Sequence, residues 1–300
     1  MTLRLLFNVI FLPAMLHAAD WQSDQLFDTE VLRAELVRAT DGKYARIGVA
    51  VLTDGNDLAT VNGDKPLPML SVYKFPQALA VARYCVDNGI SLSDTIEIAA
   101  SQLHSDTYSP MRDRYGVRGL RLPIAELLAY SMQQSDNNAC DILFDLIGGT
   151  GYANDYIHGL GFDDIHIVST EDDMHKDTGL CYANSSTATA MARLLRYFDT
   201  TLRNSAPEYE YIATLMETCT TGTDRLARGI GDDAMVFGHK TGTGDRNAEG
   251  KIIAVNDVGY VHLANGRRYY IAVFVADSGY DMDETSALIA EVARIVAGFL

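Results

Sequence analysis

Met69-Leu70-Ser71-Val72-Tyr73-Lys74-Phe75-Pro76, the stretch MLSVYKFP, sets a serine three residues ahead of a lysine where a helical pattern begins. Two readings are open. The pair is either an ordinary amphipathic turn or a nucleophile with a base on the same helical face. From Tyr73 to about Asn88 the apolar residues Phe75, Leu79, Val81 and Ala82 recur near the helical period of about 3.6, and Gly89 is a stop signal. Pro76 limits where this helix begins: its missing N–H is harmless in the first turn but costs about 3 kcal/mol deeper in. The helix is therefore expected to start at Val72 or Tyr73, with Ser71 at its N-terminus.

Outward from this point the texture changes twice. Ala45–Leu52 has strand character and closes at the turn signal Thr53-Asp54-Gly55-Asn56. Helices are expected at Pro123–Gln134, Asn138–Ile147 (stopped by Gly148-Gly149), Thr187–Phe198 and Tyr209–Glu217. After Met235 strands return, first at Met235–His239. Asp257–Leu263 and Arg268–Val275 then flank Asn265-Gly266, a hairpin signal. A last helix is expected at Glu284–Phe299. Strand, many helices, strands, helix is an α/β (α+β) order. It predicts one antiparallel sheet made from both chain ends and flanked by helices, around an all-helical middle part at about 66–219. The sheet part is expected at about 20–65 and 220–300.

The first residues, Met1-Thr2-Leu3-Arg4, an apolar run Leu5–Leu16, then His17-Ala18-Ala19-Asp20, have the form of a cleavable secretory leader over 1–19. The apolar run is shorter than the roughly 20 residues a bilayer span needs. A single exported catalytic domain, 20–300, periplasmic or secreted and without stable membrane insertion, is the expectation. The 300-residue chain carries a formal charge of −16, which leaves no basic face for phosphates and excludes nucleic acid as a partner. Cys85, Cys140, Cys181 and Cys219 permit three pairings; buried free thiols are the preferred reading. Neither a Cys-x-x-Cys nor a His/Cys cluster suggests a metal, and the seven histidines are scattered. No cofactor is expected.

A Ser-x-x-Lys pattern alone is expected about once by chance in such a chain. Ser135-Asp136-Asn137, between two expected helices, and Lys240-Thr241-Gly242, at the end of an expected strand, are each expected about 0.05 times. The three together are the signature of class A β-lactamases and penicillin-binding proteins. From Ala45 to the C-terminal helix the sequence resembles a class A serine β-lactamase. It is most similar to the branch of cephalosporinases and extended-spectrum enzymes with the strings seen here at Ser71–Phe75, Gln134–Asp141 and His239–Thr243.

The resemblance implies a role for each residue. Ser71 attacks the β-lactam carbonyl, and its own N–H with that of Thr243 holds the oxyanion. Lys74 takes or relays the serine proton, with Glu171 as joint candidate for that step, and Ser135 passes a proton to the departing nitrogen. Lys240 supplies positive potential and orders Ser135. Asn137 meets both Lys74 and the substrate's side-chain amide. Thr241, Thr243 and Arg225 seat the substrate carboxylate, with Arg246 as the rival arginine, and Tyr108 walls the entrance. Gly242 is read as leaving room for a ligand along the strand edge. Glu171, in Ser169-Thr170-Glu171-Asp172-Asp173-Met174-His175, activates the water that releases the acyl group. The expected partner is a small-molecule β-lactam, and the protein is expected to be a monomer.

Three departures from the usual class A pattern bear on the Ω loop around Glu171. His175 stands where an asparagine is common and is read as orienting the water. Ser169 and Asn184 replace the arginine and aspartate of the usual ion pair, which implies a differently held, wider loop. Leu70 and Gly244 are not cysteines, so strong carbapenem hydrolysis is not expected. The rival readings are a D-alanyl-D-alanine peptidase, which lacks the Ω-loop glutamate, and a non-hydrolytic β-lactam sensor, which needs a spanning helix.

Overall fold

Strands from the two ends of the chain meet in one antiparallel sheet. β1 (Arg46–Thr53) and β2 (Leu58–Val61) precede the helical part, and β3 (Ala234–Thr243), β4 (Ile252–Leu263) and β5 (Arg268–Ser278) follow it, in the order β2-β1-β5-β4-β3. The computed structural model describes residues 28–231 and 234–300; the leader expected over 1–19 lies outside them. β1 pairs with β5 from Arg46 opposite Ala276 to Thr53 opposite Tyr269, which joins the ends. The β4–β5 hairpin turns at Asn265-Gly266 as expected, with Gly266 at φ 84°, a value glycine adopts without strain.

The central strands are buried on both faces because helices cover both. On β5, Tyr269, Ile271, Val273 and Val275 face one cluster, with Leu32, Leu36, Ile289, Val292 and Val296. Their alternates Tyr270, Ala272, Phe274 and Ala276 face the other, with the helical part. The period of two thus assigns each residue a layer, and each fully buried large apolar side chain contributes about 1.5–3 kcal/mol.

The first layer is closed by α1 (Thr29–Thr40) and the C-terminal helix Met282–Ala297. The helical part includes α2 (Lys74–Asn88), α3 (Ile124–Gln133), α4 (Asn137–Ile147), α5 (Glu171–Lys176), α6 (Ala188–Tyr197) and α7 (Pro207–Glu217). α1 was not foreseen from the sequence, although Asp28 accepts from Glu30 N and Val31 N as its N-cap. The last helix begins two residues earlier than expected because Asp281 caps it, in a capping box with Glu284.

Two further differences place the site. A 3₁₀ turn, Leu70–Tyr73, precedes α2, so Ser71 lies in that tighter turn and not at the α-helix start. Pro76 has no N–H to give Val72, so an i→i−4 bond ladder cannot extend back past Lys74. β3 does not end at His239. It continues in register with β4 through Lys240, Thr241, Gly242 and Thr243, so the triplet belongs to an edge strand with one side free of pairing.

Candidate active site

From Leu67 to Ala82 every residue is buried except Ser71. The chain is driven into the core on both sides of the serine, and the hydroxyl alone remains partly open. In a 3₁₀ turn side chains three apart eclipse, which sets Lys74 directly behind Ser71. Leu70, just before it, holds φ 46°, a strained value for a branched residue and one of the kind that gathers at functional sites.

Lys74 is fully buried, and its ammonium is shared among three acceptors: Ser135 O at 2.8 Å, Asn137 Oδ1 at 2.7 Å and Glu171 Oε1 at 3.0 Å. Burial works to lower its pKa, but the Glu171 carboxylate outweighs that and holds it above the ordinary lysine value. The Ser71 hydroxyl donates to the same Glu171 Oε1 at 3.4 Å.

A second ammonium arrives from the sheet. Lys240 Nζ lies 3.0 Å from Ser135 Oγ and 2.8 Å from Thr241 O. Burial, with Lys74's charge adding to it, draws Lys240 down to about 8. Ser135 therefore meets one lysine with its carbonyl and the other with its hydroxyl, from a backbone at φ 60°. Next to it, buried Asp136 accepts from Ser109 Oγ, Met111 N and Ala139 N. That anchors the loop carrying Tyr108, which is exposed at the rim and receives Asn137 N on its carbonyl at 3.0 Å. Asn137 Nδ2 donates to Thr107 Oγ1 at 2.8 Å.

Glu171 opens α5, and its placement comes from side chains elsewhere. Asp141 on α4 accepts from Glu171 N at 2.8 Å and Asp172 N at 2.9 Å. Burial, then repulsion from Glu171, pushes Asp141 up to about 7 despite those bonds. The loop's neck closes on buried Asn184, whose Oδ1 accepts from Val168 N and Ser169 N while Nδ2 donates to Ser169 O. Asn184 O also receives Met69 N at 2.8 Å, tying the neck to the nucleophile turn. An amide thus holds the loop where an ion pair is usual.

The structure changes the reading of Gly242 and of the two arginines. Gly242 does not chiefly spare room for a ligand: a Cβ there would stand 2.5 Å from Met69 O, so the missing side chain lets β3 press against the turn of Ser71. Arg225 is buried and spends its guanidinium on Gly242 O, Asn256 O and Thr243 Oγ1. Through Thr243 Oγ1 it meets the exposed end of β3. Arg246 bonds Gly250 O and Tyr280 O, away from that strand end. His175 Nε2 pairs with Asp106 at 3.1 Å, linking the Ω loop to the Tyr108 loop, and the residue lines a small cavity together with Glu171. Thr241 is buried, and its hydroxyl shares a 2.5 Å bond with Thr221.

The sequence reading missed Asp141, Thr107, Thr221 and Asn256. Asn256 donates to Pro68 O and Met69 O from inside the sheet. Asp141 alone carried a signal, as an acid one helical turn after Asn137. The expected free thiols are found: all four cysteines are unpaired, with Cys219 half-buried and the others buried. Among the described residues no group of three or more His, Cys, Asp or Glu has metal-binding geometry.

The constellation matches known proteins. The family model described as the beta-lactamase enzyme family matches residues 29–300. A β-lactamase of Bacteroides uniformis is 44% identical over 85% of this chain and 86% of its own. The crystal structure of TLA-3 extended-spectrum β-lactamase superposes with a TM-score of 0.87 at 36% identity, over 90% of this chain and 98% of that one. That of a class A β-lactamase from Bacteroides cellulosilyticus DSM 14838 gives 0.85 at 37% identity, over 90% and 97%. The chain thus belongs to the class A β-lactamases, hydrolases that act on β-lactams.

Proposed function

We propose that this enzyme opens β-lactams through an acyl-enzyme on Ser71, and that Glu171 is the base in both halves of the reaction. The observation that carries the reading is one carboxylate oxygen, Glu171 Oε1, within 3.4 Å of Ser71 Oγ and 3.0 Å of Lys74 Nζ. Lys74 is held as an ammonium, so it is a poor proton acceptor in the free enzyme; the serine proton passes to Glu171, and Lys74 steadies the developing charge. The Ser71 and Thr243 N–H groups take the carbonyl oxygen as it becomes an oxyanion. Ser135, polarised by Lys240, gives its proton to the ring nitrogen and is reprotonated by the proton Glu171 took, relayed through Lys74, which returns Glu171 to a carboxylate. Water then enters beside Glu171, loses its proton there and breaks the acyl ester, which regenerates Ser71.

The substrate carboxylate is seated by the exposed Thr243 under the positive potential of Lys240, with Arg225 positioning Thr243. Asn137 and Tyr108 face the substrate's side chain. Cephalosporins are the favoured class. The branch motifs support this, and several similar proteins are named extended-spectrum enzymes. Export to the periplasm or medium, as a monomer spanning 20–300, completes the proposal; among the described residues no helix is long and apolar enough to cross a membrane.

Ser71→Ala should lower kcat/KM for a cephalosporin by at least about ten-thousand-fold and abolish any covalent adduct in intact-mass spectra. Hydrolysis persisting within tenfold of the parent would remove Ser71 from the chemistry.

A further inference from the structure

Asp277 breaks the regularity of β5 just before its end, and the hydrolysis described above makes no use of it. The ladder to β4 pairs Ala276 with Ala254 and resumes at Ser278 with Ile252, while Asp277 between them holds φ 50°. Such a backbone is uncommon outside glycine, and where it persists its surroundings must hold it. Here both carboxylate oxygens are engaged. Oδ2 accepts from Arg46 Nε and Nη2, both at 2.7 Å, a two-point grip on the first residue of β1. Oδ1 accepts from Tyr182 OH at 2.6 Å and from Asn247 Nδ2 at 3.3 Å, and Asn247 Nδ2 also donates to the Tyr182 oxygen at 3.2 Å.

The two segments gathered on Oδ1 both lead back to the active site. Tyr182 ends a 3₁₀ turn, Thr178–Tyr182, on the return limb of the Ω loop. It stands two residues before Asn184, whose amide holds Val168 and Ser169, and Ser169 stands two residues before Glu171. Asn247 belongs to the connection that leaves β3 after Thr243, and its Oδ1 accepts from Glu249 N and Lys251 N. The β3 side is already fixed, since Thr243 pairs with Val255 and Gly244 N bonds Ala254 O at 2.9 Å. The Ω-loop limb is exposed from His175 to Gly179 and depends on side-chain ties. Burial, then the bond to Asp277, holds the Tyr182 hydroxyl above the ordinary tyrosine value, so it remains a donor at neutral pH.

We propose that Asp277 is a positioning residue for the release step: through Tyr182 it fastens the return limb of the Ω loop to the sheet and so keeps Glu171 in place for deacylation. The inference rests on Glu171 as the base of the proposed function. In acylation Glu171 Oε1 meets Ser71 directly, with Lys74 Nζ at 3.0 Å to hold it. In release the carboxylate must place a water as well, a longer relay that tolerates less displacement.

The test compares the parent with Tyr182→Phe, Asp277→Gly and Asp277→Asn on a cephalosporin. Stopped-flow bursts give acylation, and quenched intact-mass spectra give the standing acyl-enzyme. Tyr182→Phe removes only the hydroxyl of the tie, and glycine at 277 accepts φ 50° without strain. Both should slow deacylation about tenfold with acylation within about twofold, so that kcat and KM fall together and kcat/KM holds. Joining the two substitutions should add less than about twofold, because they cut one tie. Asp277→Asn keeps an acceptor for Tyr182 on a side chain that tolerates this backbone, and should restore most of the rate. A loss shared equally by both steps would overturn the proposal, as the mark of a merely loosened fold. Parental deacylation in Tyr182→Phe and Asp277→Gly, beside a Glu171→Gln protein that stays acylated, would overturn it and leave the base standing. Parental turnover in Glu171→Gln would overturn both.

Discussion

The turn that carries Ser71 and the loop that carries Glu171 are built in opposite ways. Around Ser71 every neighbour from Leu67 to Ala82 is in the core, so the hydroxyl's position is set by close packing, which resists displacement. Glu171 lies in a segment that is mostly exposed from Asp173 to Gly179. It is held by polar ties: Asp141 below its helix start, Asn184 at the neck and Thr170 as N-cap. Each such bond is worth about 1 kcal/mol net. The lesson is that attack on the substrate is fixed by the core, whereas release of the acyl group hangs on a few hydrogen bonds and is the step that substitutions tune.

Asn184→Ala would break this contrast most severely. It leaves the Val168 and Ser169 N–H groups and Ser169 O without their partner, and the loop should loosen while the Ser71 turn keeps its packing. Deacylation is expected to fall about thirtyfold with acylation changed by less than about threefold, as read by stopped-flow burst and steady-state rates. An equal loss in both steps would show that the two regions are not independent.

The sheet side gives a pH test. Lys240 is charged below its pKa of about 8 and neutral above it, well before an ordinary lysine at about 10.4 loses its proton. For carboxylate-bearing substrates kcat/KM should hold from pH 6 to 7.5 and then fall, approaching about tenfold per unit. A profile flat to pH 10 would refute the role of its charge. The smallest effect is expected at Arg225→Ala, a rise in KM of about fivefold with kcat nearly kept, since the arginine acts through Thr243. Unchanged KM would show that Thr243 needs no such positioning.

The same contrast governs what could be read from the chain. The strands and the long helices follow from apolar periods of two and 3.6, and the catalytic groups stood out because Ser71, Lys74, Ser135, Glu171 and Lys240 sit in short strings of low chance frequency. The supports did not. Asp141, Asn256 and Thr221 act across the fold from residues 30, 188 and 20 positions away, and no local pattern records such a partner. Gly242 was noticed for the wrong reason because its neighbour, Met69 O, is distant in sequence. His175 and Arg225 were placed by analogy, and their hydrogen bonds go to Asp106 and to the strand that supports Thr243.

The central claim is that one carboxylate oxygen beside Ser71 serves water in the second half-reaction. Rapid-quench intact-mass spectrometry of Glu171→Gln mixed with a cephalosporin tests it most directly. The account predicts that the protein converts to a stable acyl adduct on Ser71, with deacylation slowed by at least about a thousandfold. An adduct that forms and disappears at the parental rate would contradict it.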